Sequence, residues 1–232
     1  MSTQTCIVLA GGLGTRLRDV IHDRPKCLAP VGHRTFLEIQ IDSLAQAGIT
    51  EVVLSLGYGA QQVIQSLERT APAVPVRHIV ESELLGTGGA ITYALDALAL
   101  DEVLVANGDT YMDGDLSQML EPLNRDAGEL FRMAGVVVPD RSRFGGVESD
   151  AAARVVGFLE KGQVGSGLIN AGLYRLCRAA LPRSRAGAYS LEADVLPVLV
   201  QSRNVTLAIV SGAFIDIGIP ADYARFCADH AI

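Results

Sequence analysis

The sequence has no tryptophan, few aromatic residues and no run of apolar residues long enough to cross a membrane. Its first residues lack a basic segment ahead of an apolar stretch, so a secretory signal is not expected. The four cysteines, Cys6, Cys27, Cys177 and Cys227, are scattered without the spacing of metal ligands. These absences predict a cytoplasmic protein with reduced thiols and no membrane partner.

Positive charge is also scarce, because 19 lysines and arginines stand against 26 acidic residues, for a net charge of −7. This balance argues against a nucleic-acid partner, since such proteins carry an excess of basic charge. Four of the basic residues nevertheless cluster, namely Arg16, Arg18, Arg24 and Lys26. A local positive patch in an acidic chain suits a small anionic ligand better than a polymer.

Short apolar runs in the first half of the chain alternate with stretches of helical periodicity. Continuous runs of valine, isoleucine and leucine are typical of strands buried on both faces of a parallel sheet. The alternation predicts an α/β fold with a Rossmann-like, doubly wound and mostly parallel sheet, and with ligands at the carboxyl ends of its strands. The predicted strands are 6–10, 51–56, 76–80 and 102–107, and the predicted helices lie in 36–48, 60–70 and 88–100.

The second half changes character, with short strand patterns joined by glycine-bearing turns. These patterns predict a small antiparallel β annex. Its strands are expected within 134–138, 145–149, 154–161 and 168–176. A last helix is predicted from Pro220, whose fixed φ suits a first helical turn. No linker or repeat separates these parts, so a single domain over residues 1–232 is expected.

A glycine-rich turn follows the first predicted strand, in the stretch LAGGLGTRLR of residues 9–18. Backbone amides exposed by glycines, with arginines beside them, can cradle a phosphate. A plain strand-to-helix turn with solvated arginines is the alternative. The stretch fits neither the GxxxxGK pattern of a P-loop nor the GxGxxG pattern of a dinucleotide site, and no acidic residue ends strand 51–56.

The turn and its continuation resemble the signature of the sugar nucleotidyltransferases, and five further motifs follow in family order over nearly the whole chain. The signature residues here are Gly11, Gly12, Gly14, Thr15, Arg16, Pro25, Lys26 and Pro30. The further motifs are LLGTGGA (84–90), NGD (107–109), FLEK (158–161), INAGLY (169–174) and FIDIG (214–218). Their wording is most similar to the guanylyltransferases that act on D-glycero-D-manno-heptose 1-phosphate.

The resemblance implies transfer of GMP from GTP to a sugar 1-phosphate, here D-glycero-α-D-manno-heptose 1-phosphate, with release of pyrophosphate. Because two polyanions must meet, such catalysis is mostly positioning and neutralisation of charge. Arg16 would bind the β and γ phosphates, and Lys26 would bridge the α-phosphate and the attacking sugar phosphate. Residues 1–125 would mainly bind nucleotide and residues 126–232 mainly sugar phosphate. The product would supply capsule or lipopolysaccharide assembly.

Asp109 and Asp216 are the predicted metal ligands. Asp109 follows an apolar strand, at the sheet edge where phosphates are expected, although an Asn-Gly-Asp turn alone would also explain it. Asp216 lies between two isoleucines, where an unpaired carboxylate is costly to bury. Two carboxylates beside phosphates suit Mg²⁺ as the cofactor, with Mn²⁺ as a substitute. Asp109 therefore joins Arg16 and Lys26 as the predicted catalytic groups.

The resemblance also assigns contacts to each substrate. The predicted nucleotide contacts are Leu9, Gly11, Gly12, Gly14, Thr15, Arg16, Glu81, Gly86, Thr87 and Gly108. The predicted sugar-phosphate contacts are Gly145, Glu160, Lys161 and Asn170. Glu160 would accept hydrogen bonds from sugar hydroxyls, and Lys161 would hold the sugar phosphate. Gly162 stands where many relatives have proline, which predicts a looser loop.

Glu81 is the predicted reader of the base. It follows strand 76–80, five positions before Gly86, where thymidylyl relatives carry a glutamine. A carboxylate only accepts hydrogen bonds, and guanine offers it two adjacent donors. The alternative is a strand-end glutamate that faces water, as Glu83 is expected to do.

Other functions stay open at the level of sequence. A uridylyl- or thymidylyltransferase on another hexose or amino-sugar 1-phosphate would use the same machinery. A non-catalytic regulatory subunit is disfavoured, because Arg16, Lys26, Asp109 and Asp216 are all present. A simple phosphate-binding module would not need both acids and the Glu-Lys pair. The sequence also leaves a homo-oligomer open.

Overall fold

The computed structural model describes residues 3–12, 17, 20–21, 24–183 and 187–230. The chain forms two compact units. The first unit consists of Met1–Leu84, Ala106–Asp113 and Ala213–Ile232, and the second of Leu85–Val105 and Gly114–Gly212. None of the described helices combines the length and the apolarity that a membrane crossing requires.

The described strands and helices alternate along the first half of the chain, as the sequence predicts. The strands are β1 (Thr5–Leu9), β2 (Pro30–Val31), β3 (Arg34–Thr35), β4 (Glu51–Leu56), β5 (Val76–Val80), β6 (Glu102–Asn107), β7 (Thr110–Gly114), β8 (Phe131–Val138), β9 (Gly146–Ser149), β10 (Val155–Leu159), β11 (Gly167–Cys177), β12 (Val205–Ile209) and β13 (Gly212–Asp216). The helices are α1 (Phe36–Gln46), α2 (Ala60–Leu67), α3 (Gly86–Leu98), α4 (Ser117–Leu120), α5 (Leu196–Gln201) and α6 (Pro220–His230). The predicted α/β class is confirmed.

The first unit contains a parallel ladder of β1, β4 and β5. Cys6 of β1 lies opposite Val52 of β4, and Leu54 of β4 lies opposite His78 of β5. The core of β1 and β4 is buried, whereas β5 is mostly half-buried or exposed. The carboxyl ends of these strands lie at the same edge, where the predicted ligand-binding residues follow them.

Helix α1 shows how the local sequence sets an element's limits. The Thr35 hydroxyl accepts a hydrogen bond from the Glu38 amide, and the Glu38 carboxylate accepts one from the Thr35 amide, which forms a capping box. The helix stops at Gln46, and Gly48 follows with a φ of +103°. Glycine adopts that conformation without strain, so the predicted C-terminal stop is confirmed.

The last helix completes the core of the first unit. The Phe226 ring on α6 lies 5.0 Å from the Phe36 ring and 5.1 Å from the Tyr111 ring, measured between centroids. This helix begins at Pro220, as predicted. The buried cluster around it comprises Leu17, Ile21, Ala29, Val31, Phe36, Ile39, Tyr111, Ile215, Ile217, Tyr223 and Phe226.

The second unit carries the predicted antiparallel annex. Strand β11 pairs antiparallel with β8 and β9, and β9 pairs antiparallel with β10. Strand β12, which the sequence pattern does not predict, runs parallel to β8 with Val205 opposite Phe131. This parallel pair is reached through helix α5, so its two strands lie far apart in sequence.

Candidate active site

The glycine turn after β1 is fitted closely against its neighbours. A Cβ atom on Gly11 would lie 3.0 Å from the Gly57 amide nitrogen and 3.4 Å from Glu81 Oε1. The Tyr58 amide donates to the Gly11 carbonyl at 3.2 Å. A Cβ on Gly12, in contrast, would meet no described atom within 4 Å. The predicted contacts at Gly14, Thr15 and Arg16 lie outside the described residues.

The Asn-Gly-Asp turn lies directly beside the end of β1. The Gly108 amide donates to the Leu9 carbonyl at 3.0 Å. A Cβ on Gly108 would lie only 2.4 Å from that carbonyl oxygen, so the turn accepts no side chain there. The Ile217 amide donates to the Asp109 carbonyl at 3.0 Å. The structure therefore brings together Leu9, Gly108 and Asp109, which the sequence motifs predict to share one site.

Lys26 lies between the two predicted metal ligands. Its Nζ is 2.6 Å from Asp109 Oδ2 and 3.8 Å from Asp216 Oδ1. The lysine stands on a short 3₁₀ turn, Lys26–Leu28, that follows Pro25, and its side chain is only 12% exposed. Asp216 Oδ1 also accepts the Gly218 amide at 2.6 Å. Three residues that are distant in sequence thus form one charged centre in the first unit.

The two carboxylates of this centre are ligand types that could hold a divalent cation. The Lys26 ammonium already stands beside both carboxylates, and both acids keep a partly exposed face for a ligand. Within the described residues, no group of three or more His, Cys, Asp and Glu side chains converges. Asp109 and Asp216 would therefore be the protein's share of an Mg²⁺ shell that phosphate and water oxygens complete.

Glu81 follows β5 and is held by the strand next to it. Its amide donates to the Leu56 carbonyl at 2.8 Å, and the buried Ser55 hydroxyl donates to its Oε1 at 3.1 Å. The side chain is half-buried, in contrast to the exposed Glu83. The carboxylate is therefore oriented at the sheet edge beside Gly11, and its contact with a base stays a prediction.

The LLGTGGA loop begins helix α3 in the second unit. Gly86 has a φ of +71°, and a Cβ there would lie 2.5 Å from the Tyr189 carbonyl oxygen. The Thr87 hydroxyl accepts from the Leu191 amide and donates to Glu192 Oε2, both at 2.8 Å. The sequence analysis did not foresee these partners of the loop. The local sequence indicates this segment through Ser190, whose side chain caps the short π-helical turn Leu191–Val195.

The predicted sugar-phosphate residues lie on or next to three paired strands of the second unit, β9, β10 and β11. Gly146 pairs with Leu159 on β10 and with Ile169 on β11, and the residues Gly145, Glu160 and Asn170 are each adjacent in sequence to one of these three. Asn170 is fixed locally, because its Oδ1 accepts the Gly172 amide at 2.9 Å and its Nδ2 donates to the Tyr174 hydroxyl at 2.8 Å. Glu160 and Lys161 are exposed.

The backbone conformation of Gly162 explains why this chain has glycine where the Glu-Lys-Pro pattern has proline. It has a φ of +93°, which glycine adopts freely and proline cannot adopt. Its amide donates to the Ser142 carbonyl at 2.8 Å. The turn after Lys161 is therefore tied back to the segment before β9 by one backbone hydrogen bond, and the looser loop stays a prediction.

Comparison with known proteins agrees with this architecture. The chain is 35% identical over 221 residues to the D-glycero-alpha-D-manno-heptose 1-phosphate guanylyltransferase of Campylobacter jejuni, covering 95% of this chain and 97% of the relative. It is 34% identical to the enzyme of that name from Aneurinibacillus thermoaerophilus, covering 94% and 95%.

A solved structure and a family profile agree with these relatives. The crystal structure of HddC from Yersinia pseudotuberculosis complexed with GMP-PN is similar with a TM-score of 0.85 and 33% identity, covering 98% of this chain and 99% of that one. The profile of the nucleotidyl transferases matches residues 5–231. The chain therefore belongs to the nucleotidyl transferase family, as its ordered motifs predict.

Proposed function

We propose that the protein is a guanylyltransferase that moves GMP from GTP to D-glycero-α-D-manno-heptose 1-phosphate. The observation that carries the proposal is the contact of Lys26 with Asp109 and Asp216, beside the glycine turn that ends β1. Relatives named for this reaction, similar over nearly their full length, support the choice of base and sugar. The reaction yields a GDP-sugar and pyrophosphate.

The chemistry is one substitution at the α-phosphorus of GTP. An oxygen of the sugar phosphate forms the new bond to this phosphorus. The bond from the α-phosphorus to the oxygen that it shares with the β-phosphorus breaks, and pyrophosphate leaves with the electron pair. The protein must bring two polyanions together, so fixed positive charge is its main contribution.

Lys26 supplies that charge from the protein. Its ammonium is held beside Asp109 and Asp216, so a positive charge already stands at the centre that phosphate oxygens would approach. Arg16 would hold the leaving pyrophosphate. Asp109 and Asp216 would hold Mg²⁺, which when bound neutralises phosphate charge and orients the α-phosphate.

Glu81 supplies base selection in this proposal. The Ser55 hydroxyl orients the Glu81 carboxylate, and a carboxylate accepts at both of its oxygens, so Glu81 would accept from guanine N1–H and from the exocyclic amine. Uracil and thymine lack the second donor. In the second unit, Asn170 and Glu160 would contact the sugar hydroxyls and Lys161 the sugar phosphate.

The proposal is tested by varying the sugar at constant GTP. Pyrophosphate release is measured with D-glycero-α-D-manno-heptose 1-phosphate, mannose 1-phosphate and glucose 1-phosphate, in Mg²⁺ and in excess EDTA. We expect the highest kcat/KM with the heptose substrate and no turnover in EDTA. A preference for a hexose 1-phosphate would reject the heptose assignment, and turnover in EDTA would reject the metal centre.

A further inference from the structure

Gln40 is a buried polar side chain whose hydrogen bonds end at the Asn-Gly-Asp turn. It lies on α1 and is 3% exposed. Its Nε2 donates to the Asn107 carbonyl at 2.8 Å and to the Thr110 carbonyl at 2.7 Å. These two carbonyls flank Gly108 and Asp109 on either side. One side chain amide therefore closes both ends of the turn that carries Asp109.

The same amide carries one buried acceptor without a partner in the part of the chain that the structure describes. Among the described residues, no donor pairs with Gln40 Oε1, which is buried. A buried acceptor without a partner lowers stability, and the two hydrogen bonds that Gln40 donates offset that loss. We therefore look for the role of Gln40 in the two carbonyls that its hydrogen bonds hold in place.

Those hydrogen bonds complete the fixation of the Asp109 backbone. The Gly108 amide is bound to the Leu9 carbonyl, and the Asp109 carbonyl accepts the Ile217 amide. Gln40 binds the Asn107 and Thr110 carbonyls, which lie before and after these contacts in the chain. The backbone of residues 107–110 is thus held from β1, from the end of β13 and from α1, and the Asp109 carboxylate is aimed at Lys26.

We propose that Gln40 is a positioning residue that sets the affinity of the Asp109–Asp216 centre for its divalent cation. The proposal rests on the function proposed above. Gln40 touches neither substrate nor metal, and acts by holding the turn so that Asp109 keeps its direction. Outer contacts of this kind change metal affinity or activity by roughly 10–100-fold in known metal sites.

The test compares Gln40→Met with Ser43→Ala. Ser43 lies on the same helix, and its hydroxyl donates to the Met112 carbonyl at 2.6 Å, so it also ties α1 to β7 but beyond the Asp109 turn. Binding of Mn²⁺ is followed by EPR in the presence of a saturating, non-hydrolysable GTP analogue. Unfolding in urea and steady-state kinetics are measured on the same samples.

For Gln40→Met we expect the Mn²⁺ dissociation constant to rise by about tenfold and kcat to fall, with the KM for sugar 1-phosphate unchanged. Ser43→Ala should lose stability but keep the Mn²⁺ dissociation constant within about twofold. Wild-type Mn²⁺ affinity in Gln40→Met, or an equal loss in both variants, would overturn the proposal.

Two further variants separate the possible failures. Gln40→Asn keeps the amide but is one methylene too short to reach both carbonyls, so it gives the same answer if Gln40→Met does not fold. It should weaken Mn²⁺ binding in the same direction, and wild-type affinity would again contradict the proposal. Asp109→Asn tests the metal centre itself: Mn²⁺ affinity unchanged in that variant would reject the proposed centre, whatever Gln40 does.

Discussion

At the residue scale, one ammonium group stands between two carboxylates, and each of the three groups depends on the other two. Asp109 and Asp216 lie close enough to share Lys26 Nζ, so removing the lysine leaves two like charges without their cation. The same ammonium occupies the neighbourhood in which the proposed Mg²⁺ would bind. Lys26 therefore has two effects, one on turnover and one on the metal affinity of the free protein.

Replacing Lys26 by alanine should lower kcat/KM, because a fixed charge beside the α-phosphate is lost. The expected loss of transition-state stabilisation is about 3–4 kcal/mol. In the absence of nucleotide, the same variant should bind Mn²⁺ more tightly than the wild type, since the ammonium no longer competes. Arg34→Ala, which removes the ion pair between Arg34 and Asp42, is the matched control and should leave both quantities unchanged. Turnover near the wild-type value in Lys26→Ala would remove Lys26 from the mechanism.

Replacing Glu81 by glutamine should lower kcat/KM for GTP and narrow its advantage over UTP and dTTP. The amide keeps the shape, but one of its two ends donates where guanine also donates, and we expect a loss of about 2–3 kcal/mol. The exposed Glu83 provides the control, since Glu83→Gln should leave the nucleotide preference intact. If Glu81→Gln retains the full preference for GTP with a normal fold, another group reads the base.

At the element scale, the site is built from strand ends and from the loops that follow them. Strands β4, β5 and β6 coincide with the predicted ranges. β4 and β6 are mostly apolar runs, and β5 is a short stretch that begins and ends with valine. The parallel partner of β12 and the β7–β13 pair were not predicted, since local periodicity carries no information on which distant strand is the neighbour.

Some residues of the candidate site can be predicted from local sequence motifs, and others cannot. Family motifs identified Lys26, Asp109 and Asp216 because each lies in a short conspicuous run. Gln40 was counted only as part of a helix, and its hydrogen bonds to residues 67 and 70 positions away leave no mark in the local pattern. Contacts between distant segments explain what the sequence could not supply.

Gly108→Ala tests the contact between the strand ends. Its Cβ would lie 2.4 Å from a backbone oxygen, which cannot move without shifting β1, so we expect a loss of about 1–3 kcal/mol in the free energy of unfolding. The matched change Gly12→Ala should leave stability within about 0.5 kcal/mol, since a Cβ there meets none of the described atoms within 4 Å. Both are measured by urea denaturation. Equal stabilities would show that the close approach of Gly108 to Leu9 does not exist in solution.

At the scale of the whole molecule, the first unit is assembled from three separate segments of the chain, so it forms only when the last segment returns. Helix α6 belongs to that last segment and supplies Phe226 to the buried cluster. The reactivity of the cysteines can be used to follow this assembly. Cys6, Cys27 and Cys177 are buried, whereas Cys227 on α6 is half-buried. Burial raises the pKa of the Cys6 and Cys27 thiols to about 12.

Iodoacetamide at pH 8 should therefore modify Cys227 first and leave the three buried thiols unmodified until the protein unfolds. A raised thiol pKa means that the neutral form is favoured in the folded state. The stability contributed by Cys6 and Cys27 is thus complete below the unfolded value of about 9 and is lost as the pH rises towards 12. Mass spectrometry of the labelled peptides measures the order. Early labelling of Cys6 would contradict the buried position of β1.

The central claim is the transfer of GMP to a heptose phosphate, and one competition reaction tests it most directly. Equal concentrations of GTP, ATP, CTP, UTP and dTTP are incubated with D-glycero-α-D-manno-heptose 1-phosphate, Mg²⁺ and the wild-type protein, and the sugar nucleotides formed early in the reaction are separated and identified by mass spectrometry. Because all substrates compete for one site, the product ratio equals the ratio of their kcat/KM values. We predict the GDP-heptose as the dominant product, with an equal amount of pyrophosphate. A dominant UDP- or dTDP-heptose, or pyrophosphate without any sugar nucleotide, would contradict the account.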